Sequence, residues 1–494
     1  MLEKSNVHIT IGLEIHSQIN SNNQETMGQK LFSNSSNDSK SDIPNAHINY
    51  FDLGIPGTMP QLNLFCIQQA VKTGLALKGQ IPSGAQDRIE FDRKHYFYPD
   101  LPTGYQITQN FYPIVHGGYI ILNSGKKIRI HHIHMEADAG QNTHKEQWSL
   151  VNLNRAMVGL MEIVTEPDMT SIEECIEFVK KLRLLLRYIK TCDGNMEEGN
   201  FRVDVNVSIR KSLSDPLGTR VELKNLNSFK FIEAAIIYEV NRQNQLISNG
   251  KKVLQETRGF DSSAGISYSL RKKETAPEYR YMWEPNLPPI IITENFLKEV
   301  QNSMEQLPEE KRLFYKSFGL EDNNIEILLD NEVLGEYFNR LIDEMNKINH
   351  KNIEIKNKQI HQLSNWLLGD LYGLANKLEG NISDYTPLFL IEIIQMISEE
   401  KISGKIGKYL LEQSWIKNIT PKKIAEEENL WQMTDINLID KYITEVLVEQ
   451  PKKYEEYKNT KDERCINFLV GCVLKKTHGK GAPNLCKERL LHKI

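Results

Sequence analysis

The segment from Val7 to Ile19 alternates so that Val7, Ile9, Ile11, Leu13 and Ile15 fall on one side of a strand, and Thr10, Gly12, Glu14 and His16 on the other. A carboxylate and an imidazole therefore share a face. Phe201 to Ile209 repeats the device: Phe201, Val203, Val205, Val207 and Ile209 are core positions, while Arg202, Asp204, Asn206 and Ser208 project together. Arg220, Glu222 and Lys224 do the same on the next strand. A solvated strand face usually mixes threonine, lysine, glutamate and serine. These faces gather Asp, Asn, Arg, Glu and His, which bind metal ions, phosphate or polar substrates. Glu14 and His16 by themselves are also compatible with an ordinary exposed strand.

Two further polar clusters can meet this face. Ile128 to Asp138 reads IRIHHIHMEAD, and Leu160-Met161-Glu162-Ile163-Val164 sets one acid inside an apolar run. A carboxylate so flanked is expensive to bury unpaired and calls for a metal ion, another cation or strong donors. A structural ion pair with an arginine satisfies it equally. From Phe91 to Pro102, FDRKHYFYPDLP places Arg93 and Lys94 beside aromatics closed by prolines. Cations next to aromatic faces suit a single-stranded RNA end; aromatic packing at a domain seam gives the same pattern. At the far end Lys475, Lys476, Lys480, Lys487, Arg489 and Lys493 crowd around the Gly479-Lys480-Gly481 turn. This is either a basic patch able to hold RNA or a solvated helix end. The sequence contains no G-x-x-x-x-G-K-[ST] loop, so an ATP site would not be of the P-loop kind. It also contains no G-x-S-x-G elbow, H-E-x-x-H helix or serine- and glycine-rich amidase run.

Elements must hold these residues in place, and 494 residues, 40% hydrophobic and 25% charged, suffice for two or three domains. A net charge of −5 argues against non-specific coating of nucleic acid. The six cysteines form no C-x-x-C pair and are expected to be reduced structural thiols. No run approaches the ~20 apolar residues of a membrane span. The opening residues pass straight into a strand pattern, so the cytosol, or an organelle after processing, is the expected compartment.

Up to residue 296 the chain is rich in Gly, Pro, aromatics and period-two alternation; beyond it Leu, Ile, Lys and Glu recur at helical spacing. Pro285, Pro288 and Pro289 frame an extended run, Ile290 to Ile292, that closes the first part. Ser171-Ile172-Glu173-Glu174 reads as a capping box opening a helix, and a second helix runs from Phe229 to Leu246. The fold class predicted for this part is α+β, with an antiparallel sheet that has one covered and one open face. Later helices are predicted at Gln359 to Leu378 and Pro387 to Glu399, the second capped by Thr386. A small helical module follows from Lys405 to Ile494, with Thr420-Pro421 as another cap and an amphipathic segment from Ile466 to Leu474. The domains expected are thus 1–296, 297–404 and 405–494.

Taken together these segments resemble the B subunits of aspartyl/glutamyl-tRNA amidotransferases, with matches over nearly the whole chain. The resemblance is carried by Ile11-Gly12-Leu13-Glu14-Ile15-His16, Phe91 through Pro99, Tyr105-Gln106-Ile107-Thr108-Gln109, Glu162 through Asp168 (EIVTEPD), Met196-Glu197-Glu198-Gly199, Glu222 through Ser228 (ELKNLNS) and Gln255-Glu256-Thr257-Arg258. It implies a cradle-shaped catalytic domain, a helical domain and a tail domain similar to the small helical YqeY proteins, which helps grip tRNA. The tail match rests on Phe468-Leu469-Val470-Gly471 and on Gly479-Lys480-Gly481, where the usual wording near Gly-Lys-Ala-Asn-Pro is altered.

The implied activity is that of a carbon–nitrogen ligase with glutamine as amido donor. ATP phosphorylates the side-chain carboxylate of misacylated Glu-tRNA(Gln) or Asp-tRNA(Asn), magnesium offsets the phosphate charge, and ammonia displaces phosphate. By motif position the resemblance implies Glu14, His16 and Glu162 as metal ligands. Arg93, Lys94 and Tyr96 are the implied catalytic residues near the ammonia exit or the phosphates. Arg202, Asp204, Asn206 and Lys224 are lining groups, and Lys475, Lys476 and Lys480 are expected on the tRNA. The family's glutaminase (amidase), its A subunit, supplies ammonia, and the small C subunit bridges the two, which implies an obligate hetero-oligomer with no membrane partner. The implied location is the bacterial cytoplasm, or the mitochondrial matrix in a eukaryote.

Two departures stand out. Family members commonly read Glu-Glu-Asp-Ala-Gly where this chain has Glu136-Ala137-Asp138-Ala139-Gly140, and an acid of that motif completes the metal site. Ala137 cannot bind a cation, which leaves Glu136, Asp138 or water. Met157-Val158-Gly159 also stands where Gly-x-Pro is usual, before Glu162. Two other readings compete. A non-catalytic tRNA-binding scaffold would keep transamidation intact in Glu14→Ala and Glu162→Ala. A metal-dependent nuclease or hydrolase acting alone would degrade RNA, and leaves the tail domain unexplained.

Overall fold

The alternation near the start of the chain is realised as β1 (His8–Gln18), with Ile11, Leu13 and Ile15 buried and Glu14 and His16 half-buried on the opposite face. The computed structural model describes residues 7–21, 28–38, 41–84, 87–272, 278–348, 353–432, 435–477 and 481–493. The chain divides into two compact units, Met1–Pro308 and Glu309–Ile494.

In the first unit β1 is followed by α1 (Leu64–Ala76) and the short strands β2 (Asp92–His95), β3 (Tyr105–Thr108), β4 (Val115–His116) and β5 (Tyr119–Ile121). Then come the long β6 (Lys127–Ala137), a hairpin of β7 (Gln141–His144) and β8 (Ser149–Asn152), and β9 (Gly159–Thr165). The unit continues through α2 (Ile172–Tyr188), β10 (Phe201–Arg210), β11 (Val221–Lys224), α3 (Phe229–Ser248), β12 (Glu256–Asp261), β13 (Ile266–Lys272), β14 (Met282–Trp283) and α4 (Glu294–Asn302). Among the described residues nine strands form the main sheet in the order β13-β12-β11-β10-β1-β9-β6-β4, with β5 also on β6; β14, β2 and β3 form a second, smaller sheet.

The main sheet is mixed rather than wholly antiparallel, because β11 and β12 pair in parallel. The physical reason is α3, which lies between them in sequence and supplies the crossover that a parallel pair needs. The predicted extended run at Ile290–Ile292 makes a single bridge, from Ile290 to Ile89.

One face of the main sheet is covered. Phe178, Val179 and Leu182 of α2 and Ile232, Ile236 and Val240 of α3 join Ile11, Leu13, Ile15, Val203, Val205 and Val207 in one core. Each such side chain contributes roughly 1.5–3 kcal/mol when fully buried. Slipping β1 by one residue would drive Glu14 and His16 into that core. The apolar face thus decides which side chains stay on the open face.

Ser171 caps α2, accepting a hydrogen bond from the Glu174 amide at 3.2 Å. The predicted box is only half closed, since the Glu174 carboxylate accepts from the Thr170 amide and from Lys126, each at 2.7 Å. Replacing Ser171 by alanine is expected to cost about 1 kcal/mol, read as a lower urea midpoint with unchanged slope; an unchanged midpoint would show the cap to be dispensable.

From Pro308 on, the regular elements among the described residues are helices. They form α5 (Pro308–Ser317), α6 (Asp322–Asp330), α7 (Glu332–Lys347), α8 (Ile353–Trp366), a π-turn (Leu367–Leu371), α9 (Tyr372–Lys377), α10 (Pro387–Ser398), α11 (Gly404–Lys417) and α12 (Pro421–Glu427). The helix expected from Gln359 to Leu378 is therefore interrupted. Thr386 and Thr420 precede proline as predicted, but neither hydroxyl makes a capping bond. The last four helices, α13 (Ile436–Glu449), α14 (Pro451–Thr460), α15 (Glu463–Lys476) and α16 (Pro483–Lys493), enclose their own core of Ile439, Ile443, Ile466, Leu469 and Leu490.

All six cysteines are free, and burial pushes the Cys66, Cys175 and Cys192 thiols up to about 12, which makes them inert. No helix among the described residues is long and apolar enough to cross a membrane.

Candidate active site

The register of the central strands decides what meets on the open face. β1 runs antiparallel between β10 and β9, so Glu14 lies opposite Asp204, and His16 lies opposite both Arg202 and Glu162. On the far side of β9, β6 sets His134 opposite Glu162. Period-two alternation along β6 then puts Glu136 on the His134 face and Ala137 in the core, fully buried.

These side chains converge. His16 Nδ1 is 3.1 Å from Glu136 Oε1 and 3.7 Å from Glu162 Oε2, while Nε2 is 3.7 Å from Asp204 Oδ2. His134 Nε2 lies 3.1 Å from Glu162 and 3.7 Å from Glu136. One donor atom each from His16, Glu136 and Glu162 lies within 4.8 Å of the other two, and Glu14, Asp204 and Glu222 make a second group of the same kind. In that second group Asn206 donates to Glu14 at 3.0 Å, and Lys224 donates to Asp204 at 2.6 Å and pairs with Glu222 at 3.1 Å. Thr257 donates to the other Glu222 oxygen at 2.6 Å.

Electrostatics show where cationic charge is wanted. Burial opposes ionisation of Glu136, but hydrogen bonds from His134 and His16 outweigh it and hold the carboxyl well below its usual range. Burial likewise works against the His134 imidazolium, yet Glu162 and Glu136 hold it up at about 9. Burial first, and then Glu162 and Glu222, push the Glu14 carboxyl up. Acids thus outnumber fixed cations, and protons on histidine make up part of the difference. Two carboxylates and an imidazole with mutually close donor atoms fit a divalent cation such as Mg²⁺, the other positions falling to water or phosphate oxygens. Binding there would release protons.

The group borders a cavity of about 610 Å³ whose wall includes Lys94, Tyr96, Gln106, Met196, Arg202 and Lys224. Lys94 lies over the Tyr279 ring at 4.8 Å and makes no ion pair among the described residues. Burial and then Glu136 push the Tyr96 hydroxyl up, so it remains a neutral donor. Arg202 donates to Asp138 at 3.0 Å, and Arg155 reaches the other Asp138 oxygen at 2.6 Å.

Several expected residues fall elsewhere. Arg93 forms a two-pronged pair with buried Glu284 at 2.7 and 2.9 Å and stacks on Tyr105 at 4.3 Å, so its guanidinium braces β2 rather than entering the cavity. Glu14 belongs to the second acidic group, not to the His16 group. Asp138, a candidate to stand in for Ala137, is held by two arginines, whereas Glu136 joins His16 and Glu162. Arg220 precedes β11 and is exposed. In the tail Lys475 is exposed, but Lys476 is bonded to Glu445 at 3.0 Å and Glu449 at 2.6 Å. Arg489 pairs with Asp440, and Lys480 lies outside the described residues. Sequence alone assigns no role to His134, Arg155 or Thr257, although His134 and Thr257 fall within the segments quoted above. The alternation His132, His134, Glu136 against Ile133, Met135, Ala137 was the available signal for the first.

Comparison with known proteins places the chain in a family. Residues 9–298 match the GatB/GatE catalytic domain, and residues 341–494 match the GatB domain. Over 493 residues the chain is 43% identical to the B subunit of the aspartyl/glutamyl-tRNA(Asn/Gln) amidotransferase of Rickettsia canadensis (strain McKiel), covering 98% of this chain and 97% of that protein. It is 42% identical, over the same shares, to the proteins of that name from Rickettsia felis and Rickettsia conorii. With a catalytic-domain match over more than half its length and full-length relatives at this identity, the chain belongs to the GatB/GatE family of amidotransferase B subunits.

Proposed function

We propose that this chain activates the side-chain carboxylate of misacylated Glu-tRNA(Gln) or Asp-tRNA(Asn) with ATP and amidates it. The observation that carries this reading is the convergence of His16, Glu136 and Glu162 beside a cavity that also presents Lys94 and Tyr96. A carboxylate is a poor acceptor for ammonia because the departing group would be oxide. Transfer of the γ-phosphoryl group onto a carboxylate oxygen releases ADP and makes phosphate the leaving group. Ammonia then attacks the carbonyl carbon, the C–O bond to phosphate breaks, and a proton is lost from nitrogen to leave the amide. Magnesium, when bound by His16, Glu136 and Glu162, offsets the triphosphate charge.

The chain's own groups do the positioning. Lys94, which has no carboxylate partner among the described residues, holds the substrate anion, and Tyr96 donates a hydrogen bond at the same wall. Arg202 and Lys224 keep donors free for phosphate oxygens, being 44% and 37% exposed while anchored by Asp138 and by Asp204. Ammonia comes from a partner glutaminase, the A subunit of the assembly, with the small C subunit between them, because the sequence carries no amidase run of its own. The relatives' name, which makes each of them a B subunit, is that of one component of an assembly. The tail helices, with Lys475 among their exposed cations, hold tRNA.

The test supplies the assembled protein with ATP, Glu-tRNA(Gln) and ammonium chloride, which bypasses the glutaminase. Gln-tRNA(Gln) and ADP should form together, and Glu162→Ala should lose both. Equal rates in the variant would favour a scaffold role.

A further inference from the structure

Arg155 has no part in the chemistry above and does not line the cavity, whereas its neighbours Asp138 and Arg202 do. Its Nε donates to Asp138 Oδ2 at 2.6 Å. Nη1 donates to the Glu198 carbonyl at 3.2 Å and to Asn200 Oδ1 at 3.4 Å, and Nη2 to the Gly199 carbonyl at 2.7 Å. Four of its five N–H groups are thus engaged within the protein. The turn that carries it is equally fixed. The Met157 amide donates to the Asp138 carbonyl at 3.0 Å, and the Asp138 amide donates to the Val158 carbonyl at 2.7 Å. Met157 itself is fully buried with φ at +66°. A side chain disfavours that left-handed conformation, which persists only where the surroundings over-determine it.

Asp138 is where this brace meets the cavity. Its Oδ2 is taken by Arg155, and its Oδ1 accepts from Arg202 Nη2 and from the Ala139 amide, each at 3.0 Å. A carboxylate and a guanidinium left to themselves close into a two-pronged pair. Arg93 and Glu284 do so in this protein. Arg202 is kept to a single prong because the second Asp138 oxygen is already occupied, and it makes no other hydrogen bond among the described residues. Resting on the function proposed above, in which Arg202 serves phosphate oxygens, we infer that Arg155 is a positioning residue for the amidation. By occupying Asp138 Oδ2 it stops Asp138 from capturing the Arg202 fork, so that Nε and Nη1 of Arg202 stay available to an anion. Charge points the same way: two guanidinium groups share one carboxylate, which leaves a net positive charge at the wall. The bonds from Arg155 to Glu198, Gly199 and Asn200 hold its own guanidinium in place for that task.

The experiment is a double-mutant cycle on Arg155 and Asp138 in the assembled protein, read as ammonium-driven amidation of Glu-tRNA(Gln) at varied ATP. Arg155→Met should lower kcat/KM for ATP about 10–100-fold, the worth of one hydrogen bond to a charged group, with KM for Glu-tRNA(Gln) changed less than about threefold. Arg155→Gln, which keeps an amide donor for the Gly199 carbonyl but loses the charge, should behave alike, and it carries the cycle if the Met variant does not fold. Arg155→Lys should recover most of the loss, because an ammonium still satisfies Asp138 although it cannot span the other acceptors. Adding Asp138→Asn to either neutral variant should raise the rate at least about fivefold, since an amide no longer draws Arg202 away. A brace that served folding alone would give the opposite pattern, with Lys as harmful as Met and the added Asn neutral or worse. That pattern, or an undiminished rate in both neutral variants, would overturn the inference while leaving the amidation intact. An unsubstituted protein that forms no Gln-tRNA(Gln) from ammonium and ATP would overturn the underlying reading as well.

Discussion

Glu136→Ala is expected to lower ammonium-driven, ATP-dependent amidation by about 10²–10³-fold, while Ala137→Gly, one residue on, changes it less than about twofold. The magnitude follows from the loss of several kcal/mol of charge stabilisation when one carboxylate leaves a three-group metal site, at about 1.4 kcal/mol per tenfold in rate. The contrast follows from strand parity: Glu136 accepts from His16 at 3.1 Å on the open face, and Ala137 is packed in the core. Ala137→Gly should instead show a stability loss of roughly 0.5–1 kcal/mol from chain entropy. A second readout separates metal binding from other losses. The magnesium concentration at half-maximal rate should rise by more than the roughly 10–100-fold that removing an outer-shell partner costs. Near-normal activity in Glu136→Ala together with inactivity in Asp138→Ala would hand the ligand role to Asp138 and sink this assignment.

Why Glu136 was not fixed by sequence is a matter of phase. β1 and β10 carry long, clean alternations, and each names its open-face residues without reference to any partner. In IRIHHIHMEAD three histidines fall at 131, 132 and 134, so the adjacent pair His131-His132 breaks the polar phase; the ladder itself shifts register between Ile130 and His132. Only pairing with β9 shows which residues of the run face Glu162. Family wording drew attention to Ala137, where a common acid is missing, although the acid that meets His16 and Glu162 in the structure stands at the neighbouring position. The parallel β11–β12 pair was hidden for a similar reason. The helix between the two strands was legible, but not the direction in which the chain rejoins the sheet. Long-range ion pairs were the least legible of all. Arg93 finds Glu284 across 191 residues, and Lys476 finds Glu445 and Glu449 on another helix. An isolated cation in a sequence gives no sign of being already engaged.

Arg93 supplies the sharpest case, since chemistry and structure predict different results for the same substitution. If it acted on substrate, Arg93→Met would fold normally and lose activity. In the structure its guanidinium instead neutralises Glu284, whose side chain is fully buried and which also accepts from the Asn286 amide. Removing one partner of such a pair leaves a buried charge uncompensated, at a cost of 3–5 kcal/mol for well-buried cases and roughly 3 kcal/mol here, where the arginine is one-fifth exposed. Arg93→Met should therefore lower the thermal midpoint sharply, while the protein still folded at low temperature keeps its rate per mole. Adding Glu284→Gln should recover most of the lost stability, because the remaining neutral amide no longer needs a cation. A normal midpoint with a hundredfold lower rate would place Arg93 back among the groups that touch substrate, and the Lys94 and Tyr96 wall would then have to be redrawn around it.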